Sequence, residues 1–106
     1  MNAFWQYDPG SEMEIEWDAL KAEANNHKHG VRFDEAAEAL LSPLVKVTYD
    51  LAHSQVEDRW IAIGLSPRMR LILVVYTRQG SKVRIISARK PTSKEIEKYD
   101  ETKDQS

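Results

Sequence analysis

The side chains of this chain best suited to chemistry are cations in places where cations are costly. The run Val83-Arg84-Ile85-Ile86-Ser87-Ala88-Arg89-Lys90 reads as a strand with one arginine inside it and two bases at its exit. Upstream, Lys28-His29-Gly30-Val31 sets two further basic side chains beside a chain reversal. Burying a guanidinium without an anionic partner is expensive, so such a strand implies a carboxylate or a phosphate close by. The distribution of charge points to a polyanion as readily as to a charged solvent face. Residues 1–26 hold Asp8, Glu12, Glu14, Glu16, Asp18 and Glu23 against Lys21 alone. Residues 57–90 hold Arg59, Arg68, Arg70, Arg78, Lys82, Arg84, Arg89 and Lys90 against Glu57 and Asp58. A net charge of −2 therefore conceals a local excess of +6 over 34 residues, and local field rather than net charge attracts phosphates. A charged solvent face is the competing reading, and the acidic N-terminal segment is itself complementary to the basic strands.

Composition bounds what these cations can belong to. With 106 residues, 42% apolar and 30% charged, one soluble domain with one core is expected. The absence of cysteine excludes disulfides, thiol catalysis and cysteine-ligated zinc. His27, His29 and His53 lack metal-ligand spacing, and no metal or other cofactor is expected. No apolar run approaches about 18 residues, and the N-terminus carries acids where a signal peptide carries bases, so the expectation is a cytoplasmic protein away from membranes.

The elements that must position the cations divide into a helical first half and a stranded second half. Residues 1–13, with Pro9-Gly10-Ser11, read as a flexible extension; 14–102 read as one domain and 103–106 as a flexible tail. Glu14-Ile15-Glu16-Trp17 alternates as a short edge strand, and Asp18 is placed to cap a helix running to about Lys28, stopped by Gly30. Only Leu20, Ala22 and Ala24 offer that helix an apolar stripe. Phe33, Ala36, Ala37, Leu40 and Leu41 fall at helical spacing and predict a second helix ended by Ser42-Pro43. Leu44 to Tyr49 predicts a strand, and Arg59–Gly64, Leu71–Thr77 and Val83–Ala88 a meander whose short links demand antiparallel neighbours. Thr92-Ser93-Lys94-Glu95 has the form of a capping box for a last helix to about Glu101, with Ile96 and Tyr99 to dock it. The fold class is α+β: two N-terminal helices on an antiparallel sheet of about four strands, then a C-terminal helix.

Taken in order, Ile15-Glu16-Trp17-Asp18, Lys21, Lys28-His29-Gly30-Val31, Phe33 with Glu35-Ala36, Glu57 with Arg59, Ile63-Gly64 and Ile85-Ile86-Ser87-Ala88-Arg89 resemble the BrnT family, type II toxins with a RelE-like fold. The resemblance spans about residues 14–100. Two features depart from it, the acidic extension before Glu14 and Arg32 where a capping Ser or Thr is usual. What it implies is a metal-independent endoribonuclease that stops growth by cutting RNA until a BrnA-like antitoxin blocks it. Cleavage without a metal needs a base for the 2′-OH proton, donors for the phosphorane and an acid for the leaving 5′-oxygen. Glu57 and His29 are then the candidate base and acid, and Lys28, Arg59 and Arg89 the candidate phosphate clamps, arginine being suited by its planar fork. The antitoxin implied is a ribbon-helix-helix dimer in a complex with two toxins, and DNA would be met only through it.

Each assignment has a plainer competitor. Lys28 and His29 sit where bases commonly serve a helix end. Glu57 and Arg59 are two apart and would form a surface ion pair. Arg89 is within reach of Glu95 and would lock the last helix to the sheet. Strand parity puts Arg84 on the face opposite Arg89, which favours Arg89 as the phosphate contact. Tyr76 and Trp60 read as core or sheet-face aromatics, and Trp17 and Phe33 as core. A catalytically silent module of the same fold, binding an antitoxin and contributing to operon control, stays open beside the ribonuclease.

Overall fold

Alternation along the strands sorts their side chains onto two faces, and the computed structural model, which describes residues 14–104, shows what covers each. The order is β1 (Glu14–Glu16), α1 (Ala19–His29), α2 (Phe33–Leu40), β2 (Lys46–Tyr49), a 3-10 turn (Leu51–His53), β3 (Arg59–Leu65), β4 (Leu71–Gln79), β5 (Lys82–Arg89) and α3 (Ser93–Asp104). The strands form one sheet in the order β1-β5-β4-β3-β2. The meander is antiparallel as expected, with β2 on one edge. A fifth strand completes the sheet: β1 pairs with β5 in parallel, so the sheet is mixed. Residues 1–13 of the expected extension lie outside the described residues. At the other end α3 runs to Asp104, beyond Glu101, so the first two residues of the expected tail are helical.

The core lies between α1 and α2 and one face of the sheet. Val31, Phe33, Ala36, Ala39 and Leu40 meet Ala62, Ile72, Val74, Tyr76, Val83, Ile85 and Ala88 there, with Ile15, Ala22 and Trp60 packed at its margin. Phe33 is buried as expected, whereas Trp17 is 37% exposed and meets Phe33 edge-on. Gly64 lets α2 approach closely, because a Cβ there would overlap the Ala39 carbonyl oxygen. In the first turn of α2, Glu35 is 5% exposed and accepts hydrogen bonds from Ser66 Oγ (2.7 Å) and Arg70 Nε (3.0 Å), tying the helix to the β3–β4 turn. The Arg70 hydrogen bonds hold the Glu35 carboxyl below its usual range against the opposing effect of burial.

Helix α1 docks differently from its sequence pattern. Asp18 caps its start through the Leu20 and Lys21 amides, and Gly30 ends it at φ 70°. Leu20 is 77% exposed, however, so the expected apolar stripe does not seat it. Asn25 does. Its amide donates to the Val31 carbonyl (3.0 Å) and the Ala88 carbonyl (2.8 Å) and accepts from the Ala88 amide (3.1 Å). Strand β1 covers the edge of β5 only as far as Arg84. Farther along that edge the Asn25 side chain takes the amide and carbonyl of Ala88, as a strand would. Asn25→Ala leaves the Ala88 amide and two carbonyls without these partners, and a loss of about 2–3 kcal/mol is expected in chemical unfolding, with faster hydrogen exchange at Ala88.

Candidate active site

Helices α1 and α2 cover one face of the sheet; the other carries the candidate functional side chains. The register fixes three cross-strand rows on this open face. The first is Glu16, Arg84, Thr77 and Arg59; the second Ser87, Val75, Ile61 and Thr48; the third Arg89, Leu73, Ile63 and Lys46. Helix α3 lies over the third row. Leu73 is only 3% exposed, and Tyr99 donates to the Leu44 carbonyl at 2.7 Å.

Arg84 and Arg89 share this face, which corrects the parity expectation. Val75 opposes Ser87 while Tyr76 opposes Ile85, so Ile86 is an extra residue in β5. Such a bulge resets alternation, and two positions an odd number apart then point the same way. The burial of Val83, Ile85 and Ala88 agrees with that reset.

The sequence-predicted residues fall into three places. Glu57 and Arg59 come together at the start of β3, with Arg59 Nη2 3.6 Å from Glu57 Oε2. Arg89 lies at the far end of the open face, roughly 13 Å along the strand from Arg84. It meets Glu95 through two parallel bonds of 2.9 Å. Glu95 in turn accepts from the Thr92 amide at 2.7 Å while its own amide donates to Thr92 Oγ1, the capping box expected from the sequence. Lys28 and His29 end α1. The Asn25–Ala88 bonds and the approach of Arg70 Nη2 to the Gly30 carbonyl put that helix end on the helix-covered side, at Arg89's end of the sheet. Neither side chain makes a hydrogen bond or ion pair among the described residues. His29 and Glu57 therefore lie at opposite ends of the sheet and do not form one acid–base pair, a correction to the expected pairing.

Beside Glu57 the surface is concave. A cleft of about 200 Å³ is lined by residues including Glu16, Glu57, Thr77, Lys82 and Arg84. Arg84 donates to Glu16 Oε2 from Nε (3.3 Å) and Nη2 (3.1 Å). At the neighbouring turn Asp58 accepts from the Tyr49 hydroxyl (2.7 Å), and Tyr49 stacks edge-on against Trp60. The cleft sets the carboxylates of Glu16, Glu57 and Asp58 among the guanidinium groups of Arg78 and Arg84, the Lys82 ammonium and the Thr77 hydroxyl, so that acceptors able to take a proton stand beside donors suited to a phosphodiester. Among the described residues no group of His, Asp and Glu is arranged to hold a metal ion. No helix there is long and apolar enough to cross a membrane.

A family model described as the ribonuclease toxin BrnT of type II toxin–antitoxin systems matches residues 17–95. The chain belongs to the BrnT family. This makes it a ribonuclease toxin of a type II toxin–antitoxin pair. It is similar to the crystal structure of the Brucella abortus ribonuclease toxin BrnT, with a TM-score of 0.59 and 29% identity over 77% of this chain and 100% of that one. No curated protein matches it. The matched region of this BrnT-family toxin contains every element from α1 to the start of α3, and with them the whole open face except Glu16.

Two residues of consequence escaped the sequence reading. Asn25 carried no motif; its only signal was a polar residue on a helix poor in apolar ones. Arg84 was visible, but the bulge that turns it to the open face was not. The Arg89 bonds hold Glu95 at about pKa 2, below its ordinary 4.5, against a smaller upward effect of burial. A depressed carboxyl stabilises above its ordinary value, and the contribution is lost as pH falls through the folded one. Replacing Glu95 by Gln should therefore lower Tm at pH 7, with the gap to wild type closing between about pH 4.5 and 2, as measured by circular dichroism melts across that range.

Proposed function

We propose that the toxin cuts RNA without a metal by attack of a ribose 2′-OH on the adjacent phosphodiester, at the Glu57–Arg59 end of the open face. What carries this reading is a carboxylate, Glu57, that lines a solvent-open cleft and has the Arg59 guanidinium 3.6 Å away. Glu57 takes the 2′-OH proton as the oxygen attacks phosphorus. Arg59 faces the charge that builds on the non-bridging oxygens, which a planar fork can meet two at a time. The 5′-oxygen leaves with a proton from solvent, giving a 2′,3′-cyclic phosphate and a free 5′-hydroxyl.

The remaining predicted residues take supporting parts. Arg89, engaged by Glu95, holds α3 over the far end of the sheet. Lys28 supplies positive charge to RNA that extends past that end, as the backbone contact, and His29 offers a ring nitrogen beside it. The partner is a BrnA-like ribbon-helix-helix antitoxin that covers the open face in a complex with two toxins, and through which alone the toxin reaches operator DNA. The toxin acts in the cytoplasm.

The test is cleavage of single-stranded RNA in EDTA by toxin purified free of antitoxin. Glu57→Gln and Arg59→Ala should each lower kcat by about 100-fold or more, the range for a lost general base or charge stabiliser. Lys28→Ala and His29→Ala should each cost about tenfold or less, mostly in KM. Full activity in Glu57→Gln with loss in His29→Ala would move the chemistry to the other end of the sheet. Tight antitoxin binding by a wild type that cuts nothing would instead favour the silent module.

A further inference from the structure

The first row of the open face carries two ion pairs on either side of a hydroxyl. From the sheet edge inward it runs Glu16, Arg84, Thr77 and Arg59, and Glu57 folds back on Arg59. We infer that Arg84 is a second phosphate-binding residue of the RNA site, placed across Thr77 from Arg59, and that Glu16 is the carboxylate an RNA phosphate displaces to reach it. The inference deepens the reading of Glu57 and Arg59 as the reacting end and rests on it.

Geometry supports this directly. Arg84 and Arg59 are both register partners of Thr77, so all three side chains rise from the same face. Two strand spacings separate the arginine backbones, about 10 Å, a gap their long side chains can close around one phosphodiester. Thr77 lies half-buried between them, with its hydroxyl able to donate to a bridging or non-bridging oxygen.

The energetics of the arginines single out Arg84. Arg70 is bound to the buried Glu35, and removing that partner would strand a charge. Arg89 meets both oxygens of a carboxylate that also caps a helix. Arg84 instead directs both of its bonds to one oxygen of Glu16, and the pair is open to water, with the arginine side chain 63% and the glutamate 38% exposed. Exposed pairs of this kind contribute little, so exchange of one anion for another costs little. A phosphate offers the same acceptor chemistry as the carboxylate that now holds the place. Glu16 thus acts as a resident competitor, favouring ligands that bring a phosphate to the row over those that merely sense positive charge.

The test uses the full chain, free of antitoxin, and a single-stranded oligoribonucleotide fully 2′-O-methylated so that 2′-OH attack is blocked. Its affinity is followed by fluorescence anisotropy at several salt concentrations. Arg84→Ala should weaken Kd by about tenfold and reduce the magnitude of the log–log salt slope by about 0.7, one phosphate contact on a single strand. Glu16→Gln should tighten Kd by roughly two- to fivefold, a direction that misfolding does not produce. Glu14→Gln makes the same charge change two residues away on the same strand, opposite Lys82, and should stay near wild type. Wild-type Kd and slope in Arg84→Ala, or weaker binding in Glu16→Gln, would overturn the inference. Equal tightening by Glu14→Gln and Glu16→Gln would overturn it too, by reducing Glu16 to bulk charge. An Arg59→Ala variant that still cuts RNA while Arg84→Ala binds poorly would dismiss the Glu57–Arg59 chemistry and leave Arg84 in place.

Discussion

The edge of β5 is held by a short strand at one end and by a single side chain at the other, and much else in the molecule follows from that. An unpaired strand edge is a row of exposed donors and acceptors, costly where it is buried and a template for aggregation where it is not. Here β1 pairs as far as Arg84, and the Asn25 amide then takes both polar groups of Ala88. That single side chain sets where α1 lies and fixes the end of the helix where Lys28 and His29 emerge. It also holds the stretch in which β5 absorbs its extra residue, so the bulge sits against a braced backbone.

The bulge converts that support into an arrangement of charge. Without Ile86 as an extra residue, Arg84 and Arg89 would face opposite sides, and one of them would enter the core beside Val83 or Ala88. With it, both face outward at the two ends of one strand and meet different fates. Arg89 is committed to Glu95 and therefore to α3, whereas among the described residues Arg84 meets a half-buried glutamate on a three-residue strand. The sheet's polarity arises here: a structural ion pair closes one end, and an exchangeable one marks the other.

What the sequence disclosed and what it hid separate along physical lines. Local signals were legible: Asp18 as a cap, Gly30 as a left-handed stop, the spacing of Phe33, Ala36 and Leu40, and the reciprocal box of Thr92 and Glu95 each depend on residues a few positions apart. The meander was legible because its short links leave one topology. The candidate side chains could be named from the sequence, but their arrangement could not. Lys28 and His29 are distant from Glu57 because Asn25 draws α1 along β5, a contact over 63 positions that no periodicity announces. Glu35, Ser66 and Arg70 form a buried polar cluster for the same long-range reason. Parity failed at Arg84 because a bulge is an exception to alternation, and nothing in Ile85-Ile86-Ser87 distinguishes it from a regular strand.

Helix α3 ends the open face at its third row, and the sheet is thereby a ruler. Each row is one register step from the next, about 6.6 Å, so the first row lies about 13 Å from the row that α3 covers. A polymer anchored by a phosphate on the first row has that length of apolar floor, Val75 and Ile61 flanked by Ser87 and Thr48, before it meets a wall. The number of units it can lay flat is then a property of strand geometry rather than of any one contact, and moving the wall by a turn of helix would change the count without touching the groups that do the chemistry.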